Sequence, residues 1–211
     1  MDGMIYILFI SIFVPLLLMA NLIEKKARLP IMFVLVGMFI SVFAAEVNGV
    51  LRDLLPMSEH ELTIMVTPMT EEVLKALPIL FYALVISDKQ ERLFTASMAT
   101  GIGFAVLENA YYLLNAATWN LPDAVARAFG TGLMHGMCTL LVGVGITFVR
   151  KKRKIFWVGT FALLSTAITY HGIYNMLVQS RYEVLGYLLP ISTYIPSLVW
   201  RLKKKRANDL K

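Results

Sequence analysis

Residues 62–86 read LTIMVTPMTEEVLKALPILFYALVI, and only Glu71, Glu72 and Lys75 among them carry charge. About 20 apolar residues cross ~30 Å of hydrocarbon at 1.5 Å per residue, so this run is long enough to span a bilayer while carrying charges in its interior. The rest of the chain is built in the same way. Of its 211 residues, 58% are hydrophobic and 16% charged, with a mean hydropathy of +0.68; soluble domains sit near 45–50% apolar. An ordinary soluble globule, disorder, a collagen and a coiled coil are excluded. A disulfide framework is excluded too, because the single Cys138 lies in an apolar run with no partner. The fold expected is an all-α, polytopic transmembrane bundle forming one domain over residues 1–211, embedded in the cell membrane.

Working outward, runs bounded by charges or turn residues give seven spans, near 4–23, 29–45, 62–86, 93–115, 124–149, 155–177 and 184–200. The first has Asp2 ahead of it and an apolar stretch longer than a signal peptide's, so it reads as a retained helix. Lys25, Lys26, Arg28, Lys89, Arg92, the five basic residues at 150–154, and the tail residues Arg201, Lys203, Lys204, Lys205, Arg206 and Lys211 all fall on one side. Only Arg52, Arg127 and Arg181 fall on the other. Positive-inside bias then places the N-terminus outside and the C-terminus in the cytoplasm. The net charge of +6 is accounted for by this flanking pattern, so nucleic acid is not expected as a partner. Residues 46–61, with Val47, Val50, Leu51, Leu54 and Leu55 among polar neighbours, suit either a short helix at the outer interface or a plain loop.

Ionisable groups inside spans are costly and mark function by default. Here they are Glu71, Glu72, Lys75, Glu108, His135 and His171. Glu71 and Lys75 are i,i+4 neighbours and Glu72 and Lys75 are i,i+3, so one ammonium neutralises one carboxylate and leaves the other free. Phe104 precedes Glu108 by one turn and Asn109 sets an amide beside it. Asn175 lies one turn beyond His171 on the same face, able to fix the imidazole or bind an oxyanion. Ser97, Gly101 and Ala105 form a small-residue row, and Gly132 and Gly136 flank His135, so these helices are expected to pack closely. Counting rise from each outer helix end puts Glu71 and Glu72 about 14 Å deep, Glu108 about 10 Å, His135 about 16 Å and His171 about 9 Å. Carboxylates and imidazoles from four helices at a common depth in the outer half can activate a water as general bases, or bind a Zn²⁺ that does so.

The run Glu71-Glu72-Val73-Leu74-Lys75, the stretch from Gly103 to Asn109, the lone His135 and His171-Gly172-Ile173-Tyr174-Asn175 together resemble the motif series of PrsW-type intramembrane proteases. These are similar in turn to the CAAX prenyl protease and bacteriocin-processing superfamily. The resemblance covers roughly residues 65–180 and implies a polytopic protease that cleaves a membrane-anchored protein. The PrsW example is site-one cleavage of an anti-sigma factor on its extracytoplasmic side, in keeping with the outer-half depth. The PrsW pattern ends His-x-x-x-Asp; here Asn175 takes the last place, as in the prenyl protease branch, which removes an acidic ligand but keeps an orienting or oxyanion role.

The expected chemistry is peptide hydrolysis in a cavity opening outward. One of Glu71 and Glu72 is the general base and the other pairs with Lys75. His135 and His171 position water and protonate the leaving amine, or ligate metal. Asn175 holds the oxyanion, with Lys75, Phe104, Glu108 and Asn109 in support. A metal, if present, draws its ligands from Glu72, Glu108, His135 and His171, whereas a glutamate-activated water needs no cofactor. Two other classes compete: a proton-coupled transporter using the Glu and His residues as a relay, and a noncatalytic scaffold in which they merely lock helices.

Overall fold

A computed structural model describes residues 3–20, 22–115 and 121–209. Asp2 and Lys211, which entered the charge reading, lie outside the described residues. The elements are α1 (Gly3–Met19), α2 (Lys25–Leu54), a single turn α3 (Glu59–Glu61), a π-helical turn (Leu62–Val66), α4 (Thr67–Val85), α5 (Gln90–Asn115), α6 (Leu121–Ile146), α7 (Arg153–Val178) and α8 (Glu183–Asp209). No strand occurs among the described residues. Seven long helices thus fall on the seven expected runs. Two of them, α2 and residues 124–146 of α6, are long and apolar enough to cross a membrane by length and composition alone. In α4 the three charges that interrupt the apolar run are buried inside the protein.

Residues 46–54 are neither a separate interfacial helix nor a loop. They continue α2 without a break to Leu54, giving 30 residues, or about 45 Å. Val47, Val50, Leu51 and Leu54 keep helical spacing, and no proline stands between Pro30 and Pro56 to stop the helix. Likewise α8 runs through the basic tail to Asp209 rather than ending near residue 200. The chain re-enters the helical layer at Ser58, whose hydroxyl accepts from the Glu61 N–H while the Glu61 carboxylate accepts from the Ser58 N–H, a reciprocal cap. The π-turn follows, and its cause is Pro68. Proline offers no N–H to the carbonyl one turn earlier and its ring crowds that carbonyl, so the helix widens by a residue before α4 begins.

The burial pattern departs from that of a soluble protein in two respects: charged groups lie within an otherwise apolar core, and large apolar side chains cover the surface. Lys75, Glu72, His135 and His171 are among the largest fully buried side chains, while Phe161, Val158, Ile7 and Phe81 are more than half exposed. Apolar surface on this scale needs an apolar surrounding. At the centre, α5 packs between α2 and α6. Gly101 of α5 lies against the backbone of α6 at His135, where a Cβ would stand 2.5 Å from the His135 carbonyl oxygen. This close approach carries α6, and His135 with it, onto the polar centre. The small-residue row Ser97, Gly101 and Ala105 is buried as expected. Gly132 corrects the other half of that expectation: no atom lies within 4 Å of the position its Cβ would take, because it faces a groove lined by Met98, Ile102, Phe129, Leu133, Met137 and Tyr194.

Candidate active site

Helices α4, α5, α6 and α7 bring the separated polar residues into one cluster. Lys75 Nζ donates to Glu72 Oε1 at 2.6 Å and to His135 Nδ1 at 2.8 Å, and it lies 4.5 Å above the centre of the Phe104 ring. His171 Nδ1 lies 2.9 Å from the same Glu72 oxygen, so the imidazole donates there. Glu72 is therefore the carboxylate the ammonium neutralises, as i,i+3 spacing on α4 allows. Glu71 is the one left over. Its Oε2 is buried with no hydrogen-bond partner among the described residues and sits 3.9 Å from His171 Nε2.

The two imidazoles pack edge to face, centroids 4.9 Å apart, with Phe104 against His135 at 4.8 Å. Since His135 Nδ1 accepts from the ammonium, Nε2 carries the proton and donates to Glu108 Oε2 at 2.5 Å. Glu108 Oε1 accepts from Arg127 Nη2 at 3.4 Å, and the guanidinium stacks 3.8 Å over the Tyr112 ring. Lys75 and His135 have no side-chain exposure, whereas Arg127 retains 13% and Glu108 20%. The cluster opens on the Glu108–Arg127 side.

Other expected site residues are placed differently. Asn175 does not touch His171; its Nδ2 donates to the Thr63 carbonyl of the π-turn at 3.0 Å. Asn109 adjoins Glu108 in sequence, yet its Oδ1 is buried without a partner among the described residues. Arg127, counted with the outer charges, is a member of the cluster instead. Its signal was available: it falls inside the 124–149 run, eight residues before His135, and eight residues are close to two full turns on one face. Tyr174, whose hydroxyl lies 2.9 Å from Thr131 Oγ1, also lines this region and had no signal beyond its apolar setting.

One ring nitrogen each of His135 and His171 and one carboxylate oxygen of Glu71 lie within 4.8 Å of one another, all three residues buried. This grouping could hold a metal and adds Glu71 to the sequence-derived donors; of the others, Glu108 has both oxygens engaged, by Arg127 and His135, and Glu72 has Oε1 engaged by Lys75 and His171 while its Oε2 has no partner among the described residues. Three observations fit a metal here. Glu, His and His are the donors of a familiar catalytic zinc set. Glu71 Oε2 lacks a partner, and His171 is oriented through Nδ1 by Glu72, the usual support of a ligating imidazole. His135 uses both ring nitrogens already, so it takes a metal by giving up one of those bonds.

An all-helical protein with an apolar surface and a buried Glu/His centre is a membrane-embedded enzyme in its class. Residues 25–201 match the family model described as PrsW family intramembrane metalloprotease, and with most of its length matched the chain belongs to that family. It is therefore an enzyme, a membrane-embedded protease, which decides against the transporter and scaffold readings. No curated protein and no solved structure matches the chain.

Proposed function

We propose that the protein is an intramembrane endopeptidase that hydrolyses a peptide bond of a single-pass membrane protein near its extracytoplasmic side, with Glu71, His135 and His171 at the reaction centre. The observation that carries this reading is the buried trio of Glu71, His135 and His171, whose donor atoms lie within 4.8 Å of one another, with Glu71 Oε2 unpartnered among the described residues while adjacent Glu72 takes the ammonium through Oε1. Glu71, His135 and His171 are the residues that would hold a zinc ion, which would supply Lewis acidity and lower the pKa of water. Glu72 fixes the His171 ring through Nδ1. Lys75 neutralises Glu72 and braces His135. Glu108, the most exposed carboxylate of the cluster, meets the scissile peptide first, takes a proton from the attacking water and passes it to the leaving amine as the C–N bond breaks, with Arg127 holding its other oxygen.

The seven helices are read as seven spans of one domain, N-terminus outside, because the basic residues alternate sides in that arrangement. An anti-sigma factor is the substrate class suggested by the family resemblance. A single-pass helix must unwind near the outer face to present its peptide bond, and the outer-half depth of the cluster meets it there.

The deciding experiment measures metal content by mass spectrometry in purified wild type and in a His135→Ala, His171→Ala double variant, alongside comparison of membrane protein termini in cells carrying wild type or Glu71→Gln. Near-stoichiometric zinc lost in the double variant, with new extracytoplasmic termini that vanish in Glu71→Gln, is expected. Metal-free protein that still cuts would reassign Glu71 as the base acting directly on water. Unchanged termini in Glu71→Gln would sink the reading.

A further inference from the structure

The turn that leads into α4 contains a main-chain acceptor that its own helix leaves unsatisfied. In a regular α-helix the Thr63 carbonyl would accept from the Thr67 N–H. Here that N–H goes across the π-turn to Leu62 O. The next position that could donate is residue 68, and Pro68 has no N–H. The α-helical donor for the Ile64 carbonyl would also have been residue 68. One proline therefore removes the π-type donor of the Thr63 carbonyl and the α-type donor of the Ile64 carbonyl, and both carbonyls lie on the side facing α7.

Helix α7 meets both. Asn175 Nδ2 donates to Thr63 O at 3.0 Å. At Gly172 the α7 backbone comes so close to Ile64 O that a Cβ would stand 2.8 Å from it. Immediately before that glycine, His171 donates to Glu72 at 2.9 Å and faces Glu71 at 3.9 Å. Residues 171, 172 and 175 thus contact residues 72, 64 and 63 in antiparallel order. A slip of α7 along α4 by one residue would break all three contacts together.

We propose that Asn175 is a positioning residue: its amide satisfies the Thr63 carbonyl freed by Pro68, and this sets the register of α7 on α4 that aims His171 at Glu72 and Glu71. The proposal rests on the reading of Glu71, His135 and His171 as the reaction centre. It differs from an oxyanion role, in which the same N–H would have to leave Thr63. It also explains the chemistry of the position, since asparagine donates where an ionised aspartate of the same size cannot.

The test uses full-length protein in detergent, with Zn²⁺ alone as the probe and hydrogen exchange of residues 60–72 as a readout independent of metal. In Asn175→Ala and Asn175→Asp, exchange in this segment is expected to quicken and Zn²⁺ affinity to fall about tenfold or more, the range for lost outer-shell support. Adding Pro68→Ala supplies a main-chain N–H in reach of the freed carbonyls. The double variant Pro68→Ala, Asn175→Ala is therefore expected to regain slow exchange and most of the Zn²⁺ affinity. Wild-type exchange in Asn175→Ala, or a defect that Pro68→Ala leaves unrepaired, would overturn the proposal. Wild type that takes up no Zn²⁺ would instead remove the metal from the earlier reading, while the exchange measurements still decide the role of Asn175.

Discussion

Glu71 and Glu72 are adjacent in sequence and differ in their partners. Each has an Oε2 without a partner among the described residues, but Glu72 shares its Oε1 between Lys75 and His171. Their amide variants should therefore fail differently. Glu72→Gln leaves the Lys75 ammonium buried without its counter-ion, a loss of about 3–5 kcal/mol for a broken buried pair. Glu71→Gln should abolish cleavage while the thermal midpoint in detergent stays near wild type. Equal loss of stability in the two variants would contradict this division. The pair and its base were legible from i,i+3 and i,i+4 spacing, but spacing allowed Lys75 either partner. The choice came from α6 and α7, which place His135 and His171 on the Glu72 side of the ammonium. Arg127 shows the reverse case: a charge near a helix end satisfies a topology count and a site equally well until the facing residue, Glu108, is known.

At the scale of elements, the entry into α4 is set by local chemistry. Ser58 and Glu61 form the reciprocal cap, and Arg52 at the end of α2 reaches Glu59 at 2.6 Å. The Ser58 hydroxyl and N–H both donate to the Glu61 carboxylate and hold its pKa below the usual 4.5. Because the folded-state value is the lower one, the cap stabilises fully above the unfolded-state pKa and is lost as pH falls through the folded-state value. Hydrogen exchange of residues 58–66, corrected for intrinsic rates, should stay slow at neutral pH and quicken below about pH 4. Ser58→Ala should show fast exchange at neutral pH already, with a flatter acid dependence. The cap was written in the sequence as Ser-x-x-Glu, whereas the π-turn was not. Pro68 marked an interruption, but where the freed Thr63 carbonyl found a donor depended on α7, more than 100 residues away.

For the whole molecule, exposed apolar side chains around buried charges suit a bilayer, and the alternation of basic residues is the basis of the proposed orientation, N-terminus outside. Single cysteines introduced at residues 57 and 182 are expected to react with a membrane-impermeant thiol reagent in intact cells. Cysteines at 89 and 152 should react only after permeabilisation. Cys138 is buried, so the background is low. Labelling of 89 or 152 from outside would reverse the topology.

The sequence by itself determined that this is an all-helical membrane protein and where its long helices lie, and it singled out most of the charged residues and imidazoles that the fold gathers. These follow from one-dimensional quantities: apolar run length, helical spacing, and the cost of charge in hydrocarbon. It also carried the family motifs from Glu71 to Asn175. Only the tertiary structure decided that Lys75 pairs with Glu72 and leaves Glu71 beside the other nitrogen of His171, that Arg127 belongs to the cluster, and that the Asn175 amide is spent on Thr63. Each is a choice among partners on different helices. Such choices depend on interhelical register, set by the Gly101 and Gly172 contacts, and no single helix encodes them.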